Sequence, residues 1–231
     1  MRKIQRLAAV GAMAALTVAL GACGGTESPT TTPEAPETTS EAAAPTSDAA
    51  AGGDGVTTND DVFGSACSML PQGDEPGSLD SMGPQPVASA AGTNPLLTTL
   101  ATAVGEVPGL ADTLNSQEAI TVYAPSNGAF EEVKASLGEE AYNALLANPD
   151  ELGALLSYHV VPQRYDAEGL IAAGTTMQLV GGEVTVSGTA TDDGLKLTSS
   201  GGTEATVLCG NIPTSNATVF VIDKVLMPAA S

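Results

Sequence analysis

Hydrophobic residues are distributed along this chain in three regimes. Residues 7–20 form one apolar run, residues 24–60 carry hardly an apolar side chain larger than alanine, and from Val62 onward hydrophobicity returns in patterned form. In the first part of that patterned stretch the spacing is helical. Asn94-Pro95 has the composition of a helix start, with Leu97, Leu100 and Val104 on one face and Pro108-Gly109 as a stop, and residues 110–114 read as a shorter second helix. Ser136-Leu137-Gly138-Glu139 has the capping-box pattern and predicts a helix to about Ala147. Asn148-Pro149-Asp150-Glu151 repeats the cap-and-proline device before Leu152, Leu155 and Leu156, and that helix is expected to pass into a strand over residues 158–161. From Thr175 the period changes to two: Met177 and Leu179, Val184 and Val186, Leu195 and Leu197, Val207 and Cys209, Val219 and Val221. Gly181-Gly182, Asp192-Asp193-Gly194, Gly201-Gly202 and Gly210-Asn211 separate these segments and read as turns. Helices first and strands second predict an α+β domain in which helices close a small twisted sheet assembly.

The centre of the pattern is residues 120–130. Ile120, Val122 and Tyr123 read as a buried strand that stops at Pro125, which has no amide hydrogen to give a ladder. Ser126 is placed to cap a helix starting at Asn127 that turns Ala129, Phe130 and Val133 inward. This block, Thr121-Val122-Tyr123-Ala124-Pro125-Ser126-Asn127-Gly128-Ala129-Phe130, resembles the first signature of the fasciclin (FAS1) domain, with Tyr123 where the family more often has Phe. Tyr158-His159-Val160-Val161 resembles the family's Tyr-His motif, and residues 219–228, with Asp223 among them, resemble its closing strand block. From about Asp61 onward, including a Cys-containing arm, the chain resembles the mycobacterial-type fasciclin lipoproteins. The resemblance implies two small β-sheets at an angle, a wedge flanked by helices. Thr121, Pro125, Ser126, Asn127, Phe130 and Asp223 would then be structural motif residues.

Residues 1–22 read as a secretory signal peptide: a basic start, an apolar run too short to span comfortably, then small residues. Leu20-Gly21-Ala22-Cys23 looks like a lipobox, so Cys23 is expected to be the lipidated first residue of the mature protein, with acyl chains such as palmitate as a membrane anchor. Residues 23–60, rich in Thr, Pro and Ala and acidic, read as a disordered stalk, because such a composition cannot offset the entropy of ordering. Thr30, Thr31, Thr32, Thr38 and Thr39 are candidate O-glycosylation positions; an unmodified spacer is the alternative. Residues 61–231 are read as the folded domain with its N-terminal arm. The arm, residues 62–70, has too few apolar side chains to fold alone, and residues 71–86 are rich in Gly and Pro and expected to be irregular. The chain carries 27 acids against seven bases, and three of those bases lie in the leader. An anionic surface without a basic stripe lacks the contacts that nucleic acid or acidic lipid needs.

Export would place Cys67 and Cys209 in an oxidising space, where a pair reads as a bridge, with two buried free thiols as the alternative. The fasciclin resemblance implies the bridge, which would pin the arm to the domain.

Candidate chemistry is sparse. The sequence has no nucleophile elbow, phosphate loop, dinucleotide fingerprint or calcium loop, and Asp192-Asp193-Gly194 is read as a turn. Glu131-Glu132 and Glu139-Glu140 are read as solvated partners of helix dipoles. His159 is the only histidine, so a zinc set would lack ligands and a hydrolase would depend on this one ring. It is expected to be buried, its ring bonded to backbone or to a side chain near Ser126-Asn127. In animal fasciclin domains the corresponding Tyr-His pair is implicated in adhesion-receptor binding, which makes Tyr158 and His159 candidate binding residues by resemblance. With no Trp, a sugar-stacking platform is disfavoured, and Asn216-Ala217-Thr218 is read as a turn rather than a glycan acceptor.

These features predict a monomeric, non-catalytic lipoprotein with no metal and no cofactor. It would stand at the extracellular face of the cell membrane, shed or secreted in part, and mediate cell adhesion or protein interaction with a host matrix or cell-surface protein, or with an envelope component. The alternative is an envelope carrier holding an apolar ligand in a pocket well above about 300 Å3.

Overall fold

The computed structural model describes residues 54–192 and 194–229. The leader, Cys23, the five candidate threonines, most of the predicted stalk and Asp193 lie outside the described residues.

The fold is built around strand β1 (Ile120–Pro125), which is buried at every position. The alternation of a strand explains how: Ile120, Val122 and Ala124 enter one hydrophobic core with the helices, while Tyr123 enters a second with the opposite sheet. Strand β7 (Ala217–Ile222) does the same, with Val219 and Val221 on the helix side and Phe220 and Ile222 on the other. The two run parallel, Ile120 opposite Ala217 and Pro125 opposite Ile222. A parallel pair covered on both faces is expected to be apolar throughout.

Around this pair the strand order is β2-β1-β7-β6-β5-β4-β3. Strand β2 is only Val160–Val161; β3 is Thr175–Met177, β4 Glu183–Gly188, β5 Leu195–Ser199 and β6 Glu204–Pro213. Strand β6 belongs to two sheets: Glu204 and Thr206 pair with β5, and the stretch from Val207 to Pro213 pairs with β7. The register shifts at Cys209 and again before Ile212, so Gly210-Asn211 is a bulge inside β6 and not the predicted turn. The reversal lies instead at residues 214–216. A hydrogen bond from Leu179 N–H to the Val160 carbonyl, 2.7 Å, joins the two outer edges and brings the assembly close to a barrel.

Among the described residues eight helices cover the mixed sheet: α1 Leu79–Met82, α2 Val87–Thr93, α3 Thr98–Glu106, α4 Leu110–Ser116, α5 Asn127–Leu137, α6 Glu139–Leu146, α7 Pro149–Tyr158 and α8 Ala167–Ala173. Three expectations are corrected. Asn94-Pro95 does not open α3: the Asn94 side chain accepts from Leu96 N–H, and the helix starts four residues later, after α1 and α2. The capping box at Ser136 is not made, because Gly138, at φ 84°, ends α5 and serves as the N-cap of α6 without a side-chain bond. Tyr158 and His159 are not strand: Tyr158 closes α7 and His159 caps it.

The arm is packed earlier than composition predicts. Gly55 C=O accepts from Thr218 Oγ1 at 2.7 Å, Thr57 is buried, and residues Asn59–Asp61 form a 3-10 turn, so ordered contacts begin before Asp61. A second 3-10 turn, Ser65–Met69, carries Cys67 onto β6, where it is disulfide-bonded to Cys209. Gly64, at φ 117°, permits the approach, since a Cβ there would collide with the Leu208 carbonyl.

Candidate functional site

The motif residues converge on the junctions of β1. Thr121 is fully buried; its hydroxyl donates to Gln163 C=O and accepts from Tyr165 N–H at 2.8 Å, fixing the loop after β2. At the other end Pro125 stops the strand and Ser126 caps α5, accepting from Ala129 N–H, while Ser126 N–H donates to Ile222 C=O. Asn127 caps a different helix. Its Oδ1 accepts from Thr99 N–H (2.9 Å) and Thr98 Oγ1 (3.1 Å) at the start of α3, and its Nδ2 donates to Pro95 C=O. Helix α3 has no capping side chain of its own at Leu97, so one asparagine joins two helices and the strand. Asn127→Ala is expected to lower stability by about 2 kcal/mol in urea unfolding. Phe130 fills the helix-side core, and Asp223 closes the β6–β7 ladder through Thr206 N–H.

Tyr158 and His159 diverge from one point of the chain. Tyr158, 1% exposed, enters the core between the sheets; its hydroxyl donates to Glu183 C=O (3.0 Å) and accepts from Ser200 N–H (3.1 Å). His159, 2% exposed, points the other way. Its Nδ1–H donates to Leu155 C=O at 2.7 Å, capping α7, and its Nε2 accepts from Leu226 N–H at 2.9 Å. Both ring nitrogens are thus committed to backbone, and the Leu226 N–H holds the imidazole neutral. Burial pushes the pKa down to about 4, against a smaller upward pull from the Leu155 carbonyl. The expectation of a buried ring held by hydrogen bonds agrees with this geometry, but the partners are Leu155 and Leu226. The side chains of Ser126 and Asn127 are occupied instead with α5 and α3.

Arg164 was not marked by sequence pattern. It is 9% exposed, and its Nη2 donates to Thr214 C=O (3.0 Å) and Ala217 C=O (2.9 Å), its Nε to Thr218 Oγ1. Desolvation lowers its pKa and the Asp54 carboxylate raises it. Being one of only four bases outside the leader is the one signal that could have exposed it. Asn216 is likewise structural: its side chain is buried, accepting from Val87 N–H and donating to Leu114 and Gln117 carbonyls.

The apolar cavity between helices and sheet, lined by Val87, Leu100, Leu114, Val122, Leu156 and His159 among others, measures about 40 Å3. Among the described residues no group of three or more His, Cys, Asp or Glu is placed to hold a metal, and no helix is long and apolar enough to cross a membrane.

Residues 95–228 match the Fasciclin domain family. The chain belongs to the fasciclin family. Immunogenic protein MPB70 of Mycobacterium bovis is 40% identical over 178 residues, covering 74% of this chain and 84% of that one. Cell surface glycolipoprotein MPB83 of the same species is 38% identical over 183 residues, 74% of each chain. A solved FAS1 domain pair from the insect cell adhesion molecule fasciclin I has a TM-score of 0.47 at 20% identity, covering 57% of this chain and 45% of that one. The fasciclin domain therefore accounts for β1, the Tyr158-His159 junction and the closing strand together.

Proposed function

We propose that this fasciclin protein is displayed at the cell surface on an acylated Cys23 and works by binding a protein partner, without catalysing a reaction. The likeness to MPB83, whose name describes a cell surface glycolipoprotein, supports the location. The observation that carries the binding role is the filled interior: an apolar space of about 40 Å3 is far below the roughly 300 Å3 of a small-molecule site, which weighs against the carrier alternative. The neutral, fully bonded His159 supports a structural use of the ring, so any effect of Tyr158 and His159 on binding would act through the shape they hold. The stalk threonines are proposed as glycan positions on the same surface.

Two measurements test this. Full-length protein in its native envelope should partition into the detergent phase, and Cys23→Ala should move it to the aqueous phase; unchanged partition removes the anchor. Beads coated with the Cys23→Ala chain should adhere to immobilised host matrix or cell-surface protein. Equal retention by bare beads rejects adhesion.

A further inference from the structure

Six large hydrophobic side chains are exposed among the described residues, and three of them, Met177 (57%), Leu179 (39%) and Val180 (53%), lie within four positions at the β3–β4 turn. The alternation there is inside out. Thr176 and Gln178, each 2% exposed, occupy the interior positions that period-two reading assigned to Met177 and Leu179. This arrangement is costly, since Gln178 Oε1 is buried without a hydrogen-bond partner. Thr176 Oγ1 meets Tyr123 OH at 3.1 Å and Gln178 Nε2 at 3.0 Å, so the polar side chains are held in place. A segment that buries the Gln178 amide and shows the Met177 thioether breaks the local rule, and such breaks are expected at functional surfaces.

The exposed turn is also held in shape. Gln178 N–H donates to Gly182 C=O, Gly181 N–H to Gln178 C=O, Leu179 N–H to Val160 C=O, and Tyr158 OH to Glu183 C=O. Gly181 and Gly182 both take φ near +85°, and a Cβ at Gly182 would stand 2.8 Å from the Tyr158 ring. A preformed apolar epitope loses little entropy on binding.

Charge selects the occupant. Glu183 is exposed directly opposite Met177 in the β3–β4 register. Of the described bases, Lys134 and Lys196 are paired with Glu139 and Glu204, and Arg164 is buried, which leaves Lys224. With 27 acids against seven bases, a second copy of the chain or an anionic lipid surface is repelled.

We propose that residues 177–180 are the partner-docking surface and that the partner is a basic protein offering an apolar recess rimmed by Lys or Arg. This rests on the display reading for its setting. Tyr158 acts as a positioning residue for the turn.

The test is a fluorescence-anisotropy titration of the full Cys23→Ala chain with a labelled amphipathic Leu/Lys peptide as probe, alongside the chain further changed at Met177→Ser and Val180→Ser. Saturable binding that weakens about tenfold or more in the double variant at unchanged melting temperature, and weakens with salt, supports the proposal. Tyr158→Phe, which leaves the tip side chains in place, should weaken binding and speed amide exchange at residues 179–183. Equal binding by the double variant, or none by either protein, overturns the proposal. So does tip-dependent binding to phosphatidylcholine or phosphatidylglycerol vesicles, or tip-dependent dimerisation in sedimentation. If beads still adhere with the tip changed, this inference fails while the display reading stands. If beads never adhere but the peptide binds through the tip, the reverse holds.

Discussion

Replacing Cys67 and Cys209 together by Ala lowers the unfolding free energy by up to about 5 kcal/mol, the largest effect expected of any change in the domain. The bond closes a loop of 142 positions, and in the chain-entropy model the cost of that closure is removed from the unfolded ensemble. The arm keeps other ties after the change. Phe63 and Gly210 exchange backbone hydrogen bonds, Asn211 Nδ2 donates to Asp61 C=O, and Thr218 donates to Gly55 C=O. The fold should therefore survive as a weaker version of itself, with residues 54–70 the first to lose amide protection. Urea unfolding of wild type and double variant measures the difference, and the denaturant slope should rise because the uncrosslinked unfolded chain exposes more surface. A loss below about 1 kcal/mol would show that the bridge contributes little beyond those ties.

His159→Ala should cost about 3–4 kcal/mol at neutral pH. The substitution leaves a hole beside Leu156 and Val122 and strips Leu155 C=O and Leu226 N–H of their partner. The penalty depends on pH with a definite sign. The unfolded chain takes up a proton at the ordinary histidine pKa of 6.5, whereas the folded ring stays neutral until about 4. Between those values the unfolded state binds more protons, so acidification through this window removes stability, about 3 kcal/mol by its lower end. Above 6.5 the ring is neutral in both states and contributes no slope. Protonation of the many carboxylates acts on both proteins alike, so the gap between wild type and His159→Ala should narrow from pH 7 to pH 4. A constant gap in urea titrations at the two pH values would mean that the ring is solvated in the folded state.

Legibility varied along the chain for identifiable reasons. Residues 120–130 were readable because each cue is local: β-branched residues for the strand, Pro125 to stop it and Ser126 to cap the helix within three residues. The cap at Asn148 was readable on the same ground. The role of Asn127 was not, because the helix it caps starts 29 positions earlier in the chain. Gly210-Asn211 looked like a turn because Gly and Asn mark turns, yet long-range pairing of β6 with β7 carried the strand through them as a bulge. That the His159 ring bonds to backbone was readable, but not that one partner is Leu226, which approaches from 67 positions away. At β3 the alternation was seen with its phase reversed, since Tyr123, reaching Thr176 across the interior, decides which side faces inward.

From its residues alone the chain already specified an α+β fasciclin domain, the β1–α5 junction at its centre and an anionic exterior. Composition and local hydrogen bonding act over a few residues and survive in any fold. Tertiary structure alone decided that Arg164 and Asn216 are clamps, that one asparagine caps a distant helix, and that Met177, Leu179 and Val180 stand outside while Gln178 lies within. Each of these depends on which groups arrive from far along the chain to satisfy a buried donor or acceptor, and no local pattern encodes that arrival.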